Sequence, residues 1–356
     1  MDFEEFREKL MEDLAQDLYE NTGAEYSIEA TSINKLQNAG YEGIVIRPED
    51  SAVGINLDAE SLYKSYNDGK PYEEVFDEAY RMIADGFENQ PEFNVEDFSN
   101  YDVMKEKLAI QVVSTERNTE MLEKIPHKEV EDMSLVCRFI VGDSKFGQGS
   151  ILVNNDMLEN YGITKEQLFE DAAKYAPELR PSEIMSIADV LAQMMGIDVS
   201  ELNDQMGVPA NPDIPMYVAS THDKSNGAGI IAYPGFMEMA AEKIGGDFFV
   251  LPSSVHEVIL VPDNGTGDFH ELESMVQEVN ATQVDPRDQL SDKVYHYDSK
   301  DKIFELAEKF DARKKEKDRV EEKGSVLKEL ESGKKEAHDL SKDKDKKPIK
   351  KEEASL

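Results

Sequence analysis

Cysteine is almost missing from this chain of 356 residues. Cys137 is the only one, which excludes an internal disulfide and a cysteine metal cluster. Its setting, LVCRFIV, predicts a buried and inert thiol on a strand. Long apolar runs are missing too: none approaches the roughly 18 consecutive residues of a membrane span. The opening MDFEEFREKLMEDLAQDLYE is acidic and amphipathic, without the basic start or apolar core of a secretion signal, so a cytoplasmic location is expected. No phosphate-cradling GxxxxGK[ST] run and no fixed-period repeat is found.

Positive charge is the scarcest commodity. The chain has 39 bases against 76 acids, a net charge of −37. The deficit lies in residues 1–310, which hold 24 bases and 63 acids for a net of −39; from Asp311 onward the net is +2. Such a body repels phosphate and anionic lipid, which disfavours direct nucleic-acid or membrane binding. Solubility is the plain reading of this charge, and mimicry of a nucleic-acid surface is the sharper alternative.

What is present suffices for a sizeable core: 39% of the residues are hydrophobic. The organising stretch is Tyr233 to Asp263, YPGFMEMAAEKIGGDFFVLPSSVHEVILVPD. Pro234 suits a first helical position, Phe236, Met239, Ala240 and Ile244 recur at helical steps, and Gly245-Gly246 stops the helix. DFFVL (247–251) and Val255–Val261 then read as two strands joined by Pro252-Ser253-Ser254. Apolar on both faces of the pleat, they belong in the middle of a covered sheet.

Elsewhere, helices are predicted over 2–20, 62–66, 71–87, 118–125, 155–160, 164–175, 182–195, 269–279 and 301–322. The first carries Phe3, Phe6, Leu10, Leu14 and Leu18 on one stripe, and Thr164-x-x-Gln167 forms a capping box. Strands are predicted over 27–33, 40–47, 52–57, 108–114, 134–142, 150–154, 216–220 and 230–233. Gly147 and Gly149 read as a turn, 203–215 as a loop and subdomain seam, and 281–300 as irregular. Residues 324–356 are dense in alternating charge and poor in aromatics, which predicts disorder or a loose helix.

Chemistry-bearing residues are few. Ser253, Ser254, His256 and Glu257 are the candidate catalytic cluster, since a hydrolase needs a serine on a sharp turn, a histidine within reach and an acid orienting it. On a strand, however, Ser254 and His256 share a face while Glu257 points to the other, and no GxSxG elbow is present. The plain structural reading is a capped turn beside a partly buried histidine. His256-Glu257 begins HExxH, but Leu260 occupies the second ligand position. The six histidines (127, 222, 256, 270, 296, 338) are scattered singly, and the loop from Asp263 ends at Ser274 where calcium needs a carboxylate, so no metal is expected. Gly227-Ala228-Gly229-Ile230-Ile231-Ala232 matches GxGxxA formally, but it leads into IIAY, which reads as extended, so no nucleotide cofactor is expected.

The runs PMYVAS…GAGIIAYPGFMEMAAEKIGGDFFVLPSSVHEVILVPD and VNATQVDPRDQLSDKVYHYD, with SILVNNDMLENYGITKEQLFEDAA and the opening MDFEEFREKL, resemble the bacterial family known as domain of unknown function 5688. The likeness covers most of 1–300 and leaves out the charged tail. It implies an intracellular protein of gut-type Firmicutes, without an assigned activity, cofactor or catalytic residue. The expected fold is α+β, with antiparallel or mixed sheets and packed helices. The expected organisation is an N-terminal unit over 1–100, a main domain over 101–300 and a charged helical or disordered tail over 301–356. The expected function is a non-enzymatic interaction or regulatory module whose protein partner presents a basic surface. A small-molecule hydrolase built on Ser253 or Ser254 with His256 is the rival, and the acidic nucleic-acid mimic a third reading.

Overall fold

The computed structural model describes residues 1–323 apart from 34, 39, 50, 52–53, 90–94, 145–146, 203–214, 253, 266–267 and 321–322. Two compact units result, Met1–Phe304 and Glu305–Leu356. The fold is α+β, with three antiparallel sheets.

The chain opens with helix α1 (Phe3–Thr22), held at its start by a capping box between Asp2 and Glu5. Strands β1 (Tyr26–Ile33), β2 (Tyr41–Pro48) and β3 (Ile55–Asp58) form the first sheet in that order, followed by α2 (Ala59–Asn67) and α3 (Tyr72–Glu88). The four-residue step of α1 lays Phe6, Leu10, Leu14 and Leu18 on one side, against Ile44, Ile46 and Leu57 of the sheet and Val75, Ala79 and Ile83 of α3. Helix α3 lies within one residue of its expected bounds and runs through Gly86.

Gln37 joins this layer to the next. Its φ of 63° turns the chain so that its amide donates to Asn118 Oδ1 (2.5 Å), its Oε1 accepts from Ser114 N (3.1 Å) and its Nε2 donates to Gln289 O (2.5 Å). Both side-chain polar atoms of a buried glutamine are thereby matched.

The second sheet is built from β4 (Leu108–Ser114), β5 (His127–Val130), β6 (Met133–Ser144) and β7 (Gly147–Leu152). Its order is β4-β6-β5, with β7 also on β6. Short helices α4 (Tyr101–Met104) and α5 (Thr119–Leu122) flank β4; α6 (Asn155–Tyr161) and α7 (Lys165–Leu179) follow β7. Thr164 caps α7 as its spacing implies, accepting from Gln167 N (3.2 Å). Gly147 and Gly149 stand within β7 rather than in a turn, paired to Ser144 and Gly142.

The third sheet holds β8 (Ser182–Ser186), β9 (Tyr217–Thr221), β10 (Phe248–Leu251), β11 (Val258–Pro262), β12 (Tyr295–Asp298) and β13 (Ile303–Leu306), in the order β13-β12-β10-β11-β9-β8. The two strands of the organising stretch are central and pair Phe248 with Pro262 through Leu251 with Ile259. Helices α8 (Ile187–Met195), α9 (Phe236–Ile244) and α10 (Phe269–Thr282) accompany it.

Several local expectations change here, each for a tertiary reason. Residues 182–186 leave the predicted helix to pair with β9, and Ser186 then caps α8. IIAY forms no strand, because Gly227–Ala232 is a 3-10 turn folded onto β4 and β9. Helix α9 starts at Phe236 behind a left-handed Gly235, and it buries Met237 and Ala241 while Met239 faces solvent. Val255, His256 and Glu257 precede β11 instead of opening it. VYHY contributes β12, buried and paired to β10, and Ile303–Leu306 is a strand where a helix was expected. The predicted seam at 203–215 falls almost wholly outside the described residues.

In the second unit, residues 307–320 are helical and Arg313 pairs with Glu305 at 2.7 Å. No helix among the described residues is long and apolar enough to cross a membrane.

Candidate functional site

The connection from β10 to β11 carries the residues singled out by sequence. Ser254 bridges to Gln289, and Val255 N donates to Asp288 O (2.7 Å), so the chain around 288 fixes this turn from outside. The Ser254 hydroxyl accepts from the backbone amide of His256 (3.1 Å), a local turn contact. The imidazole lies elsewhere. Its Nδ1 accepts from Asn226 N (3.2 Å), and its Nε2 stands 3.4 Å from Asp288 Oδ1. Both side chains are about two-fifths exposed, at 41% and 39%. An Nδ1 that accepts an amide proton leaves the ring proton on Nε2, facing the carboxylate.

The structure therefore brings His256 to Asp288 and turns neither ring nitrogen toward Ser254. Glu257 is half-buried beyond the histidine, and Ser253 lies outside the described residues. Asp288 had no sequence signal, because the 31 intervening residues contain β11 and all of α10. Behind Asn226 runs a polar line: Gln111 Nε2 donates to Asn226 Oδ1 (2.9 Å), and Arg138 donates to Gln111 Oε1 (3.4 Å) and Ser150 Oγ (2.9 Å). Burial lowers the Arg138 pKa from its ordinary value. This line stands behind the residue whose amide meets the imidazole, and its one hydroxyl, Ser150 Oγ, accepts from Arg138.

A different arrangement occupies the outer faces of α1 and α3. Lys9, Asp13, Gln16, Asp17 and Glu20 from α1 meet Tyr72, Glu73, Phe76 and Asp77 of α3 around a groove of about 420 Å³. Three- and four-residue steps align the five carboxylates along it. Lys9 is gripped there: Nζ is 2.6 Å from Asp13 Oδ2 and 4.4 Å from the centre of the Tyr72 ring. The Tyr72 hydroxyl donates to the same Asp13 oxygen (2.7 Å). Partial burial alone raises the Asp13 carboxyl, but Lys9 and Tyr72 outweigh it and hold it below the ordinary 3.8. Burial first, then Asp13, pushes the Tyr72 phenol upward. The groove can thus hold a cation between a carboxylate and an aromatic face. Sequence reading followed the apolar stripe of α1 and passed over this opposite face, whose signal was the spacing of 13, 17, 20 and of 73, 77.

Among the described residues, no group of three or more His, Cys, Asp or Glu is placed to hold a metal ion. Cys137 is fully buried, and burial pushes its thiol upward. The GAGIIA run is the 3-10 turn on β4, with no helix opened at its glycines.

A family model described as "Family of unknown function (DUF5688)" matches residues 3–299. No curated protein and no solved structure matches the chain.

Proposed function

The chain belongs to the DUF5688 family, a family of unknown function, and we propose that it is a non-enzymatic, cytoplasmic protein-interaction module that receives a basic segment of a partner protein. The observation that carries this reading is the gripped Lys9. One cation already sits between Asp13 and the Tyr72 ring, while Asp17, Glu20, Glu73 and Asp77 line the same groove. A lysine or arginine from a partner meets the same chemistry at Asp17 and Glu20, whose side-chain partners are the neutral amides of Asn21 and Gln16. The net −39 of residues 1–310 supports it by steering a basic partner toward the body and raising the association rate.

The test uses the full chain and a fluorescein-labelled oligolysine peptide, titrated at low and moderate salt. Asp17→Lys with Asp77→Lys is expected to weaken binding by at least about tenfold. Glu123→Lys with Glu129→Lys makes the same change in net charge on exposed positions away from the groove, and is expected to weaken it by less than about threefold. Equal loss in both pairs, or no binding at all, would overturn the reading.

One observation speaks for the rival hydrolase: a carboxylate, Asp288, does stand beside the His256 imidazole. That reading still requires the Asn226 amide to release Nδ1 and a serine to replace it. Labelling by a fluorophosphonate probe that disappears in Ser253→Ala or Ser254→Ala, and in His256→Ala, would establish it.

A further inference from the structure

Strand β3 stands at the end of its sheet. It pairs with β2 from Gly43–Asp58 to Ile46–Ile55, and among the described residues no strand pairs with its other edge. Such an edge presents backbone N–H and C=O groups that a further extended chain can meet. All four β3 residues, Ile55 to Asp58, line a groove of about 480 Å³. Successive side chains of a strand point to opposite faces, so a space that meets all four runs along the edge. The volume lies within the roughly 300–1,000 Å³ of ligand sites. At about 3.3 Å per residue, β3 offers an added strand about four residues of contact.

The far wall comes from helices. Ser61, Leu62 and Ser65 of α2 and Glu78, Met82 and Asp85 of α3 line the same groove. Steps of four and three residues put the last three on one stripe of α3. Met82 is a large apolar side chain left 50% exposed there. Glu73, Phe76 and Asp77, which line the acidic groove, lie on the opposite flank of the helix. The two grooves therefore share α3 and none of these side chains.

Charge in the edge groove is also uneven. Three carboxylates, Asp58, Glu78 and Asp85, face one cation, Lys35, whose Nζ rests 4.7 Å from the centre of the Tyr41 ring. Asp58 accepts from the Ser61 amide (2.9 Å) and hydroxyl (2.8 Å), and Glu78 is held by Lys70 (2.6 Å). That leaves the exposed Asp85 to meet a cation from outside.

From the open edge, the groove along it and its acidic end, we infer that β3 takes an extended segment of a partner protein as a fourth strand. Branched aliphatic side chains of that segment pack on Leu62 and Met82, and a lysine or arginine reaches Asp85. This goes beyond the interaction reading: it adds a second surface and makes backbone pairing the mode of recognition. The two stand on different residues, so either can fail alone.

The experiment titrates the full chain with the fluorescein-labelled peptide Lys-Val-Thr-Val-Thr-Val-Lys, expected to bind with a Kd below about 100 μM. Two further peptides carry N-methyl groups on the valine amides or on the threonine amides. An added strand turns only one edge to β3, so one of the two is expected to bind at least about tenfold more weakly than the other. Asp85→Lys is expected to weaken the parent peptide at least about fivefold, and Glu123→Lys, an equal charge change at another exposed position, less than about twofold. Amide hydrogen exchange at residues 55–58 is expected to slow in the bound chain. No binding at 1 mM peptide, on the order of the weakest specific affinities, overturns the inference. Equal affinity of the two methylated peptides, or equal effects of the two substitutions, does so as well. Slowed exchange only at 9–20 and 72–77 would put the peptide in the acidic groove, overturning this inference and leaving the proposed function standing.

Discussion

Arg180 keeps its charge almost out of water, with its side chain 5% exposed, and it does so by gathering acceptors from one turn. Its Nε and one terminal nitrogen reach the two Asp223 oxygens at 3.0 and 2.6 Å, and the latter also meets Thr221 Oγ1 at 3.3 Å and the Ser225 carbonyl. Burial alone raises the Asp223 carboxyl, but Arg180, Thr221 and the Ser225 amide together outweigh it and hold it below the ordinary 3.8. A depressed carboxyl contributes stability that is present above its unfolded value and fades as the pH falls through its folded one. Asp223→Asn is therefore expected to cost about 2 kcal/mol at pH 7, less than a fully buried pair because Asp223 remains partly solvated. The cost should shrink as the pH drops below about 4. Urea unfolding midpoints of both proteins at pH 7 and pH 3 decide it; a pH-independent difference would refute it. Nothing local in THDKSN (221–226) ties it to an arginine 43 residues earlier.

At the scale of elements, most helices and strands were legible because their periodicities are strong and their stops are glycines. Phe6, Leu10, Leu14 and Leu18 recur every four residues and all four are buried. IIAY reads as a strand because it looks like VILV (258–261) when only apolarity is counted. The deciding fact for Gly227–Ala232 is how near other backbones come. A Cβ on Gly229 would stand 2.1 Å from Ile110 O, and one on Gly227 2.5 Å from His256 O. Only glycine lets this turn lie on β4 and support the 256 turn at once. Gly229→Ala is expected to destabilise by about 3 kcal/mol, since a backbone carbonyl cannot step aside. Gly265→Ala, at φ 78° with nothing within 4 Å of its Cβ, is expected to cost about 1 kcal/mol of backbone strain. Chemical denaturation of the two variants checks the contrast, and equal losses would show that close approach is not what the 3-10 turn requires.

For the whole molecule, the net charge of −37 works against compactness through self-repulsion. Raising ionic strength from about 0.01 to 0.15 M shortens the screening length from about 30 to 8 Å, which weakens that repulsion. The thermal midpoint is therefore expected to rise by several degrees over this range. A scanning-calorimetry series in NaCl measures it, and a falling midpoint would mean that attractive surface pairs outweigh the excess acid. The same screening should loosen a basic peptide from the α1–α3 groove, so stability and binding are expected to move in opposite directions with salt.

The amino-acid order alone determined the α+β class, the acidic body, most element positions and the central place of β10 and β11. Those follow from composition, from periods of two and 3.6 residues, and from glycine and proline stops, all of which act between near neighbours. Tertiary structure alone decided that His256 faces Asp288 and not a serine, and that five carboxylates from two helices share one groove. It also decided that Tyr41 and Met82 line a common groove. Each is a meeting of side chains 32 or more residues apart, chosen by sheet order and loop closure, and local pattern carries no record of that choice.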